Sequence, residues 1–174
     1  MMVETVAVLA TGLSMSQAVA DSAQSLRCIA VSDTYKLAPW AEAIVAQDLS
    51  WWHANPEAMK ASVPRYSTSW FVGVSRIRGG DGISSGTNSG LAGLHVAIQR
   101  GAKRVLLLGF DMRGTHYFGP HVGLKNTSEA RFVEFRNQFA RYAQQLRGVE
   151  VLNCTPGSAL NCFPIVDFVE RAAA

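Results

Sequence analysis

What this 174-residue chain lacks narrows its function first. It has no P-loop, no Gly-x-Ser-x-Gly elbow and no His-Glu-x-x-His pair, which disfavours three common enzyme classes. Its three cysteines, Cys28, Cys154 and Cys162, are odd in number and have no zinc spacing, so buried reduced thiols are expected. No apolar run is long enough to span a bilayer. Residues 6–21 are apolar and contain an Ala-Val-Ala triplet, but they follow Glu4, lack a basic flank and are broken by Gly12, Ser14 and Ser16. No secretory leader is read there, and a cytoplasmic protein is expected. The arginines are dispersed and the net charge is only +3, which does not indicate a nucleic-acid-binding face.

What is present describes one soluble globular domain, residues 1–174. A hydrophobic fraction of 48% with 17% charged residues is enough for a sizeable core. The most informative stretch is 83–112. It opens in a polar turn, Ser84-Ser85-Gly86-Thr87-Asn88-Ser89, rich in N-cap types. Leu91, Leu94 and Ile98 follow at i, i+3 and i+7, one face of a helix, and Gly101 stands where a left-handed residue would end it. Residues 105–108 are an uninterrupted apolar run, as in a strand covered on both sides, and exit into Gly109-Phe110-Asp111. A helix start offers backbone N–H groups and the strand end offers a carboxylate, a combination suited to an anionic, phosphorylated ligand.

The same alternation runs along the chain. Residues 5–10 read as a buried strand that leaves into Thr11-Gly12-Leu13-Ser14, with a helix following to Ser25. This turn can be a phosphate turn or a plain capped turn. Residues 28–31 form a second strand, leaving into Ser32-Asp33. A third, 43–47, ends at Gln47 and leaves into Asp48, ahead of a short helix at Trp51-Trp52-His53. One of these tryptophans is a candidate cleft wall. Residues 66–74 read as an edge strand, and Arg76 and Arg78 sit in an exposed loop that could meet phosphates or be plain surface. Asn126-x-x-Glu129 resembles a capping box at the start of a helix. The stripe of Phe132, Phe135, Phe139 and Leu146 on that helix reads as core. A last strand, 150–153, leaves into Asn153-x-Thr155, and a short helix is expected at 166–171.

Strands alternating with helices predict a three-layer, Rossmann-like α/β fold, with a mainly parallel sheet and helices on both faces. In such a sheet the strand exits share one edge. Five successive polar exits make a crevice at that edge the expected ligand site. The loop after Asp111 brings His116, Tyr117 and His121 to it, and histidine is the natural proton acceptor near neutral pH. Asp111, His116 and His121 could converge on a cation, but no ligand motif supports a dedicated metal site. A magnesium ion carried by a nucleotide is easier to accommodate, with Asp48 or Asp111 as oxygen donor.

Taken together, these pieces resemble a known superfamily. The markers are Thr11-Gly12-Leu13-Ser14, Val31-Ser32-Asp33-Thr34-Tyr35 with Leu37-Ala38-Pro39-Trp40, and Asp48 with Trp51-Trp52. Further along come Ser85-Gly86-Thr87-Asn88-Ser89-Gly90, Leu108-Gly109-Phe110-Asp111-Met112, His116-Tyr117-x-Gly119-x-His121 and Asn153-Cys154-Thr155-Pro156-Gly157. Their order and spacing resemble the superfamily of family 42 bacterial sialyltransferases and MptE-like 6-hydroxymethylpterin diphosphokinases, and within it small phage-encoded proteins. The resemblance implies a nucleotide in the crevice, contacted by Thr11, Gly12 and Ser14. Ser32 and Gln47 match asparagines of the transferases, and Ser85-Gly86 match a donor-contacting turn. His121 best matches the catalytic base, with His116 as the alternative and Tyr117 as a phosphate-side hydroxyl.

The chain also departs from that pattern. The usual Gly-Pro-Ser is Gly12-Leu13-Ser14, the nucleotide-reading asparagines are replaced by Thr11, Ser32 and Gln47, the histidine loop has an extra residue, and the donor-sugar lid is missing. Nucleotide binding survives these changes better than sialyl transfer. The resemblance thus implies one of two functions. One is a transferase acting on a nucleotide sugar or nucleoside triphosphate with a histidine base. The other is a non-catalytic binder that sequesters a nucleotide-derived host defence signal, acting in the host cytoplasm if phage-encoded. Aromatics near Trp51 suggest a homo-oligomer surface.

Overall fold

A computed structural model of the chain describes residues 4–77, 83 and 86–168. Seven strands form one sheet: β1 (Thr5–Leu9), β2 (Arg27–Val31), β3 (Ala43–Val45), β4 (Arg65–Ser67), β5 (Ser75–Arg76), β6 (Arg104–Leu108) and β7 (Glu150–Asn153). Their order is β5-β4-β3-β2-β1-β6-β7, and every pairing is parallel. The helices are α1 (Gln17–Ser22), α2 (Leu49–Ala54), α3 (Pro56–Lys60), α4 (Ser89–Gln99) and α5 (Glu129–Gln145), with a 3-10 turn at Ser32–Lys36.

Side-chain alternation along the central strands builds a core on each face of the sheet. Val6, Val8, Ile29, Val31, Val105 and Leu107 point to one side, where they meet Leu91 and Leu94 of α4 and Phe139 of α5. Ala7, Leu9, Cys28, Ala30, Leu106 and Leu108 point to the other, against Met15, Ala20 and Ala23. The fold is therefore the three-layer Rossmann-like α/β arrangement, with a sheet that is parallel throughout rather than mainly so. Helix α4 lies close to the sheet because it carries Gly93, where a Cβ would stand 2.7 Å from Val31 and 3.1 Å from Val8.

Several local expectations are corrected. Of the strand expected at 66–74 only Tyr66 and Ser67 are in the sheet, as the end of β4; the chain then turns at Gly73 (φ +77°), and the edge strand β5 begins after it at Ser75. Helix α1 stops at Ser22 rather than Ser25. The N-cap of α5 is Ser128, whose hydroxyl accepts from the Arg131 N–H at 3.2 Å, not Asn126. Asn126 instead accepts from the His121 N–H at 2.6 Å. Trp51 and Trp52 are both buried, so the exposed aromatic in that region is Trp70. Most of the helix expected at 166–171 lies outside the described residues.

From β1 the chain works outward through β2 to β5. It then returns through α4 to place β6 on the other side of β1. The strand order thus reverses between β1 and β6, and parallel sheets open a crevice at the carboxyl ends of such a pair.

Candidate functional site

The exits of β1 and β6 are bound to each other before any ligand is considered. The Gly12 N–H donates to the Gly109 carbonyl at 2.9 Å. A Cβ on Gly12 would lie 2.1 Å from an Asp111 carboxylate oxygen and 2.4 Å from the Gly109 carbonyl, so only glycine fits. The Asp111 carboxylate accepts the Ser14 hydroxyl at 2.7 Å and the Ser14 N–H at 3.1 and 3.2 Å. Ser14 and Asp111 buckle the two turns together, and neither lines the cavity. This accounts for two residues expected to meet ligand.

Beside this buckle is a cavity of about 160 Å³. Thr11 and Gly12 reach it from β1, Ser32 and Asp33 from β2, and Asp48 and Trp51 from the start of α2. Asn88, Ser89 and Gly90 reach it from the start of α4. Asn88 caps that helix by accepting from the Leu91 N–H at 3.1 Å, so the first turn, where helix N–H groups favour an anion, faces the cavity. Ser32 (φ +49°) and Met112 (φ +54°), the non-glycine residues with left-handed backbone among those described, both lie in this lining. Such strain collects where a site has to be shaped.

Other expected contacts have internal partners. The Gln47 side-chain oxygen accepts from the Thr68 N–H at 2.8 Å and from its hydroxyl at 3.1 Å, joining the β3 and β4 exits behind the cavity. The Gly86 carbonyl accepts from Gln138 and Arg131 of α5, and Gly86 does not line the cavity. Ser85 lies outside the described residues, as do Arg78 and the glycines up to Gly82. Asp33 is buried, accepts from the Trp51 indole N–H at 2.8 Å and pairs with Lys36. Asn153 and Thr155, at the fifth exit, are buried; Thr155 accepts from the Phe110 N–H at 2.9 Å.

The histidine loop is sewn to β1. His116 bridges Gly12, and the Tyr117 N–H donates to the Thr11 carbonyl at 2.9 Å. Nδ1 of His116 is 2.8 Å from the Thr11 hydroxyl. The ring stacks on Phe118, with centroids 4.9 Å apart and planes 4° from parallel, and the His121 ring lies 4.5 Å away. Burial, then the neighbouring His121, holds the His116 imidazole below its ordinary pKa of 6.5. It is therefore neutral at pH 7. His116 and His121 both line the cavity.

Tyr117 does not. Its ring packs into the core on the Cys28 face, its hydroxyl donates to the Asp33 carbonyl at 3.2 Å, and burial pushes its pKa up to about 12. It is a structural pin rather than a phosphate-side hydroxyl.

Sequence reasoning missed much of the wall. Arg113 and Lys125 bring positive charge to it, and Phe132 and Phe135 bring half-buried aromatic surface. Both phenylalanines share a stripe with the fully buried Phe139, and periodicity does not separate a stripe's core end from its cavity end. The cavity adjoins a wider groove of about 570 Å³ that shares Asp48, Trp51, His121, Lys125 and Phe135 and adds Arg131. Among the described residues, no group of three or more His, Cys, Asp or Glu gathers as a metal site. Asp111 is occupied by Ser14, which leaves Asp48, exposed at the rim, as an oxygen donor for a cation arriving with a ligand. No helix among the described residues is long and apolar enough to cross a membrane. No family model matches the chain, and neither does any curated protein or solved structure.

Proposed function

We propose that the crevice binds a nucleotide or nucleotide-derived small molecule, and that the protein transfers a glycosyl or diphosphoryl group from it to an acceptor hydroxyl. One observation carries this reading. At the point where the strand order reverses, the first turn of α4, Arg113, Lys125 and a neutral histidine line a single cavity. The helix start and the two cations suit phosphate oxygens. Phe132 and Phe135 offer half-buried apolar surface to a base. In the transfer, the acceptor hydroxyl loses its proton to a histidine and its oxygen bonds to the transferred carbon or phosphorus. The bond from that centre to the donor's phosphate oxygen breaks, and the electron pair leaves with the nucleotide. The resemblance to the sialyltransferase and pterin diphosphokinase superfamily, and to its phage-encoded members, belongs to this proposal.

The second reading is sequestration without turnover. It is favoured by the internal engagement of Ser14, Gln47, Tyr117 and Asp111, which leaves few polar groups for chemistry.

A thermal-shift screen with CMP, nucleotide sugars, ATP with magnesium, and cyclic dinucleotides tests both readings. A ligand at a hundred times its Kd adds about 2.7 kcal/mol, which for a chain of this size raises Tm by roughly 5–10 °C. Conversion of a hit to product supports transfer, and release of unchanged ligand supports sequestration. No shift with any of these compounds would sink the nucleotide reading.

A further inference from the structure

One residue of the crevice has internal partners and still faces the ligand space. Asp33, at the exit of β2, is only 6% exposed, yet it lines the cavity. One oxygen of its carboxylate pairs with the Lys36 ammonium, and the other accepts from the Trp51 indole N–H at 2.8 Å. Trp51 is itself buried and meets Tyr35 and Trp52 edge to face, with ring centroids 5.9 and 4.9 Å away. The backbone is held as well, since the Asp33 carbonyl accepts from the Tyr117 hydroxyl at 3.2 Å. Gln47 differs: its side-chain oxygen is engaged by Thr68 and it does not line the cavity.

A carboxylate only accepts hydrogen bonds, and its two oxygens offer about four acceptor sites. Lys36 and Trp51 each use one, so capacity remains for a group in the cavity. An anion placed there would be repelled. A second cation is not called for, because Lys36 already balances the charge. Neutral donors fit, and two adjacent sugar hydroxyls supply them side by side. The anionic end of the ligand is then directed away from Asp33. In the sheet β1 lies between β2 and β6, and Arg113, which follows the β6 exit, lines the same cavity from beyond β1. We infer that Asp33 is a specificity-determining residue that receives vicinal hydroxyls of a sugar phosphate, with the sugar over the β2 exit and the phosphate towards Arg113. This deepens the nucleotide reading, on which it rests for the phosphate, and narrows the ligand to ribose rather than deoxyribose compounds.

A structural ion pair alone does not account for this placement. Lys36 is half exposed, so the pair adds little to stability. A buried carboxylate is costly unless its lone pairs are satisfied, and here the cavity is what leaves some of them open. Ser32, just before it, holds left-handed backbone at the start of the 3-10 turn. A carboxylate fixed by turn, indole and ammonium needs no ordering when the ligand arrives, which favours affinity.

Base-free probes test the sugar contact directly. In calorimetric titrations at neutral pH, ribose 5-phosphate is expected to bind about tenfold or more tighter than 2-deoxyribose 5-phosphate, the reach of one hydrogen bond to a charged group. Asp33→Asn should bind the two alike, because an amide nitrogen donates where the carboxylate oxygen accepted. Lys36→Met changes the exposed partner of the carboxylate and should keep the preference; with the unmodified protein it carries the test if Asp33→Asn does not fold. Equal affinity of the two sugars for the unmodified protein overturns the inference. So does a preference that persists in Asp33→Asn, or one that is lost in Lys36→Met. Nucleotides that bind equally well in ribose and deoxyribose form leave the nucleotide reading standing and overturn this one. A ribose 5-phosphate preference in a protein whose Tm no nucleotide raises does the reverse, and binding of none of these compounds sinks both.

Discussion

At the scale of single residues, the site is shaped more by what its polar groups do for one another than by what they offer a ligand. Gly12 is the clearest case. Its glycine character reads from sequence as room for a phosphate, yet the space is already filled by Asp111 and Gly109. Gly12→Ala should therefore destabilise the fold by about 3 kcal/mol, the upper range for overpacking, and do so in the absence of ligand. Urea unfolding checks this; an alanine variant of unchanged stability that merely bound ligand less well would restore the phosphate-turn reading. Residue identity made these positions legible as important. Whether Ser14, Gln47 or Tyr117 faced inward was not legible, because that depends on partners such as Asp111, Thr68 and Asp33, which are distant in sequence.

At the scale of elements, the strands were legible because unbroken apolar runs such as 105–108 carry their own signature, and α4 was legible from its stripe and its terminal glycine. The boundary of α5 was not. Asn126 and Ser128 are both good N-cap types, and sequence alone does not rank two caps two residues apart. The structure gives them separate tasks, since Ser128 holds the helix and Asn126 holds the His121 backbone. Ser128→Ala should cost about 1 kcal/mol of stability and leave the histidine loop in place. Asn126→Ala should cost less in unfolding experiments while speeding amide exchange at His121. The reverse pattern would return the cap to Asn126 and remove its role in the loop.

Across the whole molecule, the two edges of the parallel sheet have been given different work. The carboxyl edge gathers the crevice. The amino edge gathers an ion network in which Glu42, just before β3, accepts two hydrogen bonds from Arg27 at 2.7 and 2.9 Å and one from Arg100, after α4, at 3.0 Å. Glu4, before β1, pairs with the same Arg27. Strand starts that adjoin only through the sheet are thereby held in register, with no contact to the ligand site. The hydrogen bonds from Arg27, against an opposing effect of burial, and then those from Arg100 hold the Glu42 carboxyl below its ordinary pKa of 4.5. A carboxyl whose pKa falls on folding contributes stability that is complete above its unfolded value and is lost as pH drops through the folded one. Glu42→Gln should therefore lower stability at pH 7 by about 1 kcal/mol, a figure kept small because the pair is partly solvated. The gap to the unmodified protein should begin to narrow as pH falls below 4.5, where the unfolded carboxyl takes up its proton, and should close only once pH has dropped through the lower folded value, where the native carboxyl also becomes neutral. Any ligand-induced rise in Tm should be the same in both proteins, because Glu42 stands at the far ends of the strands that carry the crevice. Unfolding curves at pH 7 and in acid, with and without ligand, measure all three quantities. A Glu42→Gln protein as stable as the original at pH 7, or one with a diminished ligand response, would show that the two edges are not separated in this way.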